Sequence, residues 1–339
     1  MSLITQIRKM GRTGGISPRP GRHVRRALCV SVAAFLAVSC GYGAARDDGP
    51  PGALDEPLSD ATGGGAPARA AEPPGLALGG PQRAQTERAA AALAAHAERL
   101  RQAERRRVAA VRNWRVERLP LRPPPPPDKK PKLVSDSGHT AGDGLPPVIT
   151  RVPTKDRVVF LTIDDGYEKD PALLRMLRDL DIPYSAFLAD YVANDNYDYF
   201  REMHRDGVAI HNHTLNHKEL PRLSYEAQRK EICGQQEVLR EEIGTTPHLF
   251  RPPYGAYNRD TLRAAATCGI TAVPLWAEEA WAKRFDWGRG DRVFHPGDII
   301  LTHFRGKAEW GGTMPDMVRR TLKTVTDQGF AIARLEDYI

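Results

Sequence analysis

The first forty positions contain no Asp or Glu, although Lys and Arg recur among them. The apolar run in that stretch, residues 27–39 (ALCVSVAAFLAVS), is too short for a membrane span. A basic stretch (Arg22, His23, Arg25, Arg26) followed by such a run is the pattern of an export signal. A retained N-terminal anchor is the rival reading. Cysteine is scarce, with four residues in 339. Cys29 and Cys40 lie in or beside the apolar run, which leaves only Cys233 and Cys268 farther along. In an exported chain these two can form a disulfide or stay as separate buried thiols, and their spacing does not decide between them.

An excess of positive charge on the C-terminal part is also lacking. The formal net charge is +7. Residues 83–132 hold about 14 basic and 5 acidic side chains, whereas residues 133–339 hold about 26 and 31, a balance of about −5. A high overall pI can accompany nucleic-acid binding, but here the positive charge lies on the tail, so nucleic acid is discounted as a partner.

The composition divides the chain into three. Residues 1–40 read as a signal peptide. Its end, Ala37-Val38-Ser39-Cys40, resembles a lipoprotein signal, which would lipidate Cys40 and attach the chain to a membrane. Cleavage near Ala44-Ala45 is the alternative. Residues 41–147 read as a linker: a Gly/Pro/Ala stretch to residue 82, a basic solvated helix over 83–119, and a polyproline run, Pro123 to Pro127. The basic helix is a solvated arm or one attracted to anionic cell-wall polymers or lipid headgroups. Residues 148–339 read as the folded domain, ample for one hydrophobic core.

Within that domain short apolar runs alternate with amphipathic stretches. Strands are expected over 157–163, 185–188, 208–211, 248–250, 271–275, 298–302 and 330–333. Helices are expected after Asp170-Pro171 and over 196–205, 225–242, 259–268 and 317–328. This order implies an α/β fold with a parallel sheet, and the number of units favours a barrel over an open sheet. Polar clusters follow four of the strands: Asp164-Asp165, His211 to His217, Arg251 to Tyr254, and His303. Strand ends of this kind carry active sites in such folds.

Adjacent carboxylates at a strand end are costly unless a cation or a proton separates them. One of Asp164 and Asp165 can bind a metal while the other serves as a base, although Asp-Gly also marks turns. His213 and His217, four apart, can point both imidazoles one way on a helical or turn-like segment. With a carboxylate they make an open site for zinc or a similar divalent ion. His211 falls outside that spacing and reads as a supporting or surface group.

Thr162-Ile163-Asp164-Asp165-Gly166, His213-Thr214-Leu215-Asn216-His217, Arg251-Pro252-Pro253-Tyr254-Gly255 and Leu301-Thr302-His303 together resemble motifs of the NodB-homology polysaccharide deacetylases, carbohydrate esterase family four. They occur in family order across about 190 residues. The resemblance implies a distorted (β/α) barrel and a divalent metal cofactor, zinc by its ligand set, on Asp165, His213 and His217. It makes Asp164 the catalytic base and His303 the catalytic acid. Arg251, Tyr254, Trp276 and Leu301 form the substrate-binding group: Arg251 orients Asp164, the Tyr254 N–H holds the oxyanion, and Trp276 and Leu301 wall the acetyl pocket. Ile163 replaces the usual Phe. The fourth motif departs further: Trp276 is followed by Glu278-Glu279-Ala280-Trp281, with Asp286-Trp287 later, so Glu279 and Asp286 are both candidates to tune His303. The expected reaction is removal of N-acetyl groups from a secreted or surface amino-sugar polysaccharide, peptidoglycan or chitin-like. O-deacetylation of a polymer such as xylan, and a non-catalytic carbohydrate-binding relative, are the alternatives.

Overall fold

The computed structural model describes residues 80–339. The signal segment, Cys40 and most of the Gly/Pro/Ala stretch lie outside the described residues. The chain divides into two units at Ala89–Ala90, and every strand belongs to the unit that contains Ala90–Ile339. Among the described residues no helix is long and apolar enough to cross a membrane.

The elements run α1 (Gly80–Asn113), β1 (Val148–Ile149), β2 (Val158–Asp165), α2 (Pro171–Asp179), β3 (Ser185–Leu188), α3 (Asp190–Ala193), α4 (Tyr197–Arg205) and β4 (Ala209–Asn212). Then come α5 (Tyr225–Glu242), α6 (Arg259–Thr267), β5 (Val273–Pro274), β6 (Glu278–Ala280), β7 (Phe285–Trp287), β8 (Ile299–His303), α7 (Lys307–Trp310), α8 (Met314–Asp327) and β9 (Ala331–Ile332). Local chemistry sets many of the boundaries. Asp170 caps α2 by accepting from the Ala172 amide, with Pro171 in the first turn. Asn258 and Thr261 form a capping box on α6. The last helix starts at Met314, earlier than its hydrophobic spacing predicts, because Thr313 and Asp316 form a second capping box. Pro274 lacks an N–H, and the strand expected over 271–275 narrows to Val273–Pro274.

The sheet order is β4-β3-β2-β8-β6-β7, with β9 paired to the start of β2. All neighbours in this sheet are parallel except the β6–β7 hairpin. The ring closes through irregular segments: Phe250 bridges Asn212 of β4, Leu249 bridges Ala272, and the chain from Ala272 runs on to β6, which pairs with β8. The result is the distorted (β/α) barrel. Its strands are short, but β2, at its centre, is buried along all eight residues.

Apolar side chains occupy distinct layers. Phe160, Phe187, Leu249, Ile299 and Tyr338 form one buried cluster. Leu173, Leu177, Phe200, Met317 and Leu322 join Leu161 and Ile163 in a larger one, and Ile232, Leu262 and Phe250 anchor a third. Cys233 on α5 and Cys268 after α6 are joined in a disulfide, with 5.0 Å between their Cα atoms.

The second half of α1 and its extension lie against the domain. Ala110 and Val116 belong to the large cluster. Arg107 is buried and donates to the carbonyls of Leu180, at 2.9 Å, and Pro120. Trp114 Nε1 donates to Asp179, and Leu121 pairs with Ala331 of β9. These residues fall within the stretch read as linker from the sequence; hydropathy counts Arg107 as polar, yet its guanidinium is inside.

Candidate active site

The parallel register fixes the centre of the site. Asp164 of β2 is the direct partner of His303 on β8, and Asp165 is the partner of Leu188 on β3. Both aspartates are almost fully buried. Four of the seven non-glycine residues with positive φ among the described residues are here: Asp165 (81°), Thr214 (74°), His217 (52°) and Tyr254 (62°). Backbone strain of this kind persists only where surrounding contacts impose it.

The contacts are explicit at the histidine loop. Asn212 Oδ1 accepts from the Thr214 amide at 2.9 Å, and Glu231 on α5 accepts from the Asn216 amide and side chain at 2.8 and 2.9 Å. Leu215 seats against Gly234 of α5, where a Cβ would come within 2.5 Å of Leu215 Cδ1. So His213 and His217 converge from a pinned turn, not from a helix. His211 is buried and bonded to Glu336 at 2.7 Å, which also accepts from Ser185, so of the two alternatives, a supporting or a surface group, the surface position is not where it lies.

His213 Nε2 and His217 Nε2 lie 3.5 and 3.3 Å from Asp165 Oδ1. One donor atom from each of the three residues falls within 4.8 Å of the others. His213 Nδ1 donates to the Arg251 carbonyl at 2.7 Å, which leaves Nε2 facing the cluster. Asp165 Oδ1 is buried without a hydrogen-bond partner. Two imidazoles and one carboxylate around an unsatisfied oxygen fit a divalent cation of the zinc type. Burial alone would raise the Asp165 carboxyl, but His213 and His217 outweigh it and hold it well below the usual carboxylate range. Burial would lower His213, yet Asp164 and Asp165 raise it.

Arg251 Nη1 donates to Asp164 Oδ1 at 2.7 Å. Fully buried, it also reaches the Pro274 and Leu275 carbonyls and Thr162 Oγ1. It does not line the cavity; its contact within the site is with Asp164. Tyr254, Trp276 and Leu301 do line it, in a space of about 420 Å³ bounded also by Trp281, Arg284, Glu279, His303 and the metal-type cluster.

His303 Nδ1 lies 3.5 Å from Glu279 Oε1, whereas Asp286 is paired with Arg284. Burial lowers His303, opposed by Asp165 and Asp164 and reinforced by Arg305. Burial, then the Asp286 charge, pushes Glu279 up to about 8. Arg305 is the residue that sequence reading missed: its Nη2 donates to Asp165 Oδ2 at 2.7 Å. The only signal was a basic residue two positions beyond His303.

Residues 151–273 match the family model described as polysaccharide deacetylase. An uncharacterized protein of Streptomyces coelicolor is 43% identical over 199 residues, covering 58% of this chain and 79% of that one. A chitooligosaccharide deacetylase of Bradyrhizobium is 31% identical over 160 residues, covering 43% and 70%. The peptidoglycan-N-acetylmuramic acid deacetylase PdaC of Bacillus subtilis is 30% identical over 198 residues, covering 55% of this chain and 40% of the enzyme's own length.

Proposed function

The chain belongs to the polysaccharide deacetylase family, the NodB-homology group of carbohydrate esterase family four, and from that premise we propose that it hydrolyses N-acetyl groups from an amino-sugar polysaccharide and releases acetate. The observation that carries this reading is the pairing of Asp164 with His303 across β2 and β8, beside an Asp165–His213–His217 cluster whose Oδ1 has no hydrogen-bond partner.

Asp165, His213 and His217 would hold the divalent ion, zinc by its donor set; when bound it supplies the Lewis acid that activates water and polarises the acetamide carbonyl. Asp164, with Oδ1 held by Arg251, is the proton acceptor for the attacking water. The Tyr254 N–H is the donor to the developing oxyanion. His303, on the adjacent strand, protonates the departing amine, and Glu279 holds its ring at Nδ1. Leu301 and Trp276, both nearly buried, wall the acetyl methyl.

Peptidoglycan and chitin-like glycans are the proposed substrates, supported by what the named relatives act on. An exported or surface location follows from that substrate, with residues 1–40 as the signal, Cys40 as the lipidation candidate, and residues 148–339 as the deacetylase unit. Acetate release from acetylated chito-oligosaccharides, peptidoglycan fragments and acetylated xylan, with and without chelator, tests the reading. Release from the first two that chelator abolishes is the expected result. Release from xylan alone makes the enzyme an O-deacetylase. No release from any substrate with zinc supplied removes catalysis from the account.

A further inference from the structure

Each aspartate of the site has one oxygen tied to its own guanidinium. Asp164 gives Oδ1 to Arg251, and Asp165 gives Oδ2 to Arg305, both at 2.7 Å. The free oxygen of each faces His213: Asp164 Oδ2 at 3.8 Å and Asp165 Oδ1 at 3.5 Å from Nε2. The two arginines differ in how they are held. Arg251 is fully buried and hydrogen-bonded to the carbonyls of Pro274 and Leu275. The Arg305 side chain keeps 27% of its surface exposed, lines the cavity, and lies between the Tyr167 ring, 5.3 Å away, and Glu309 at 3.7 Å.

We propose that Arg305 is a positioning residue for the metal: by tethering Asp165 Oδ2 it presents Oδ1 alone to the ion that His213 and His217 share. The inference rests on the metal-dependent reading above. A carboxylate at a strand end can rotate and offer either oxygen, or both. With Oδ2 engaged by a guanidinium, one oxygen and one direction remain. The Asp165 backbone, at φ 81°, sets where the carboxylate sits, and Arg305 sets how it is turned. The loop that carries Arg305 is itself fixed to the end of that strand and the loop after it, because the Phe304 amide donates to the Asp164 carbonyl at 3.0 Å and the Phe304 carbonyl accepts from the Glu168 amide at 3.0 Å.

Two effects of Arg305 oppose each other. Its positive charge repels a cation, so a charge effect acting alone would make its removal tighten binding. Its tether orients a ligand, and loss of a partner that orients a metal ligand typically costs about 10- to 100-fold in affinity. Exposure to water screens the charge effect, while the tether acts through a short, partly buried contact. Orientation therefore wins, and the charge-keeping substitution separates the two.

The test is zinc affinity of the full chain by competition with a chromophoric chelator, for wild type, Arg305→Lys and Arg305→Met, with the thermal midpoint of each metal-free protein as a check on folding. Both variants are expected to bind zinc about 10- to 100-fold more weakly than wild type. Lys, which keeps the charge but not the planar fork, should recover only part of the loss. Affinities within twofold of wild type overturn the inference alone, as does tighter binding by Arg305→Met with Arg305→Lys unchanged. If the wild type binds no zinc, the metal reading falls and the inference with it. If Arg305→Met fails to fold, the Lys variant decides between the same outcomes.

Discussion

Glu279 Oε1 lies 3.5 Å from His303 Nδ1, while the carboxylate directly across the hairpin, Asp286, is held by Arg284 at 3.1 Å. Of the two candidates in the divergent fourth motif, Glu279 is therefore the one placed beside His303. Glu279→Gln is expected to lower kcat roughly tenfold or more, with Asp286→Asn within about twofold of wild type. Steady-state kinetics on one acetylated oligosaccharide distinguish them; equal losses in both variants would contradict the assignment.

The base and the metal ligands should separate cleanly. Asp165→Ala and His213→Ala are expected to lose zinc and activity together. Asp164→Asn should retain zinc and lose turnover by about 10²- to 10⁴-fold. Metal content and acetate release, measured on the same preparations, check both. Full activity in metal-stripped wild type would count against the mechanism.

Most of this centre was legible in the sequence, because four of the strands announce their ends by switching from apolar residues to a polar cluster. Asp164-Asp165, the two histidines, Arg251 and His303 all follow such a switch, and the barrel gathers them. What was not legible depends on pairing across strands. The choice between Glu279 and Asp286 rests on the β6–β7 hairpin, whose three-residue strands carry too little periodicity to be read. Arg305 gains its role from the β2–β8 register, and Arg107 from docking to the Leu180 carbonyl, neither of which has a local signature.

Glu278 gives a pH dependence unrelated to catalysis. It is buried beside Asp298 and bonded to Arg289, with Asp291 and His295 in the same group. Burial, then the Asp298 charge, pushes its carboxyl up to about 9, against about 4.3 in an unfolded chain. Between those values the folded state keeps a proton that the unfolded chain releases, so stability falls as pH rises through that window. Glu278→Gln removes this dependence. Thermal scans should show the variant near wild type at pH 4.5 and more stable at pH 8, with about 2–4 °C for each kcal/mol gained. A parallel decline in both proteins would refute the argument.

The segment before Val148 contributes to stability. Replacing Arg107 by Met leaves the Leu180 and Pro120 carbonyls without their donor, at a cost of about 1–3 kcal/mol. A chain beginning at Val148 loses Ala110 and Val116 from the large cluster as well and should unfold at lower denaturant than one beginning at Gly80. Urea titrations of the three proteins are the measurement; coincident curves would make the segment a bystander.

The Cys233–Cys268 link closes a loop with a sequence separation of 35 residues between α5 and the end of α6. A loop of that length corresponds to roughly 3–4 kcal/mol in the chain-entropy account. Cys233→Ser with Cys268→Ser, or reduction of the wild type, should lower the unfolding free energy by up to that amount. The effect on acetate release at low temperature should be small, because neither cysteine lines the cavity.

Arg251 joins two segments that are far apart in the chain, through the carbonyls of Pro274 and Leu275 in one and the side chains of Thr162 and Asp164 in the other. Its guanidinium also faces the Phe187 ring at 4.3 Å. In the folded barrel these contacts bring the end of β2 and the Pro274–Leu275 segment onto one guanidinium. The direction of the Asp164 carboxylate is therefore tied to the packing of the whole barrel, since the group that holds it is itself held by a segment from another part of the ring.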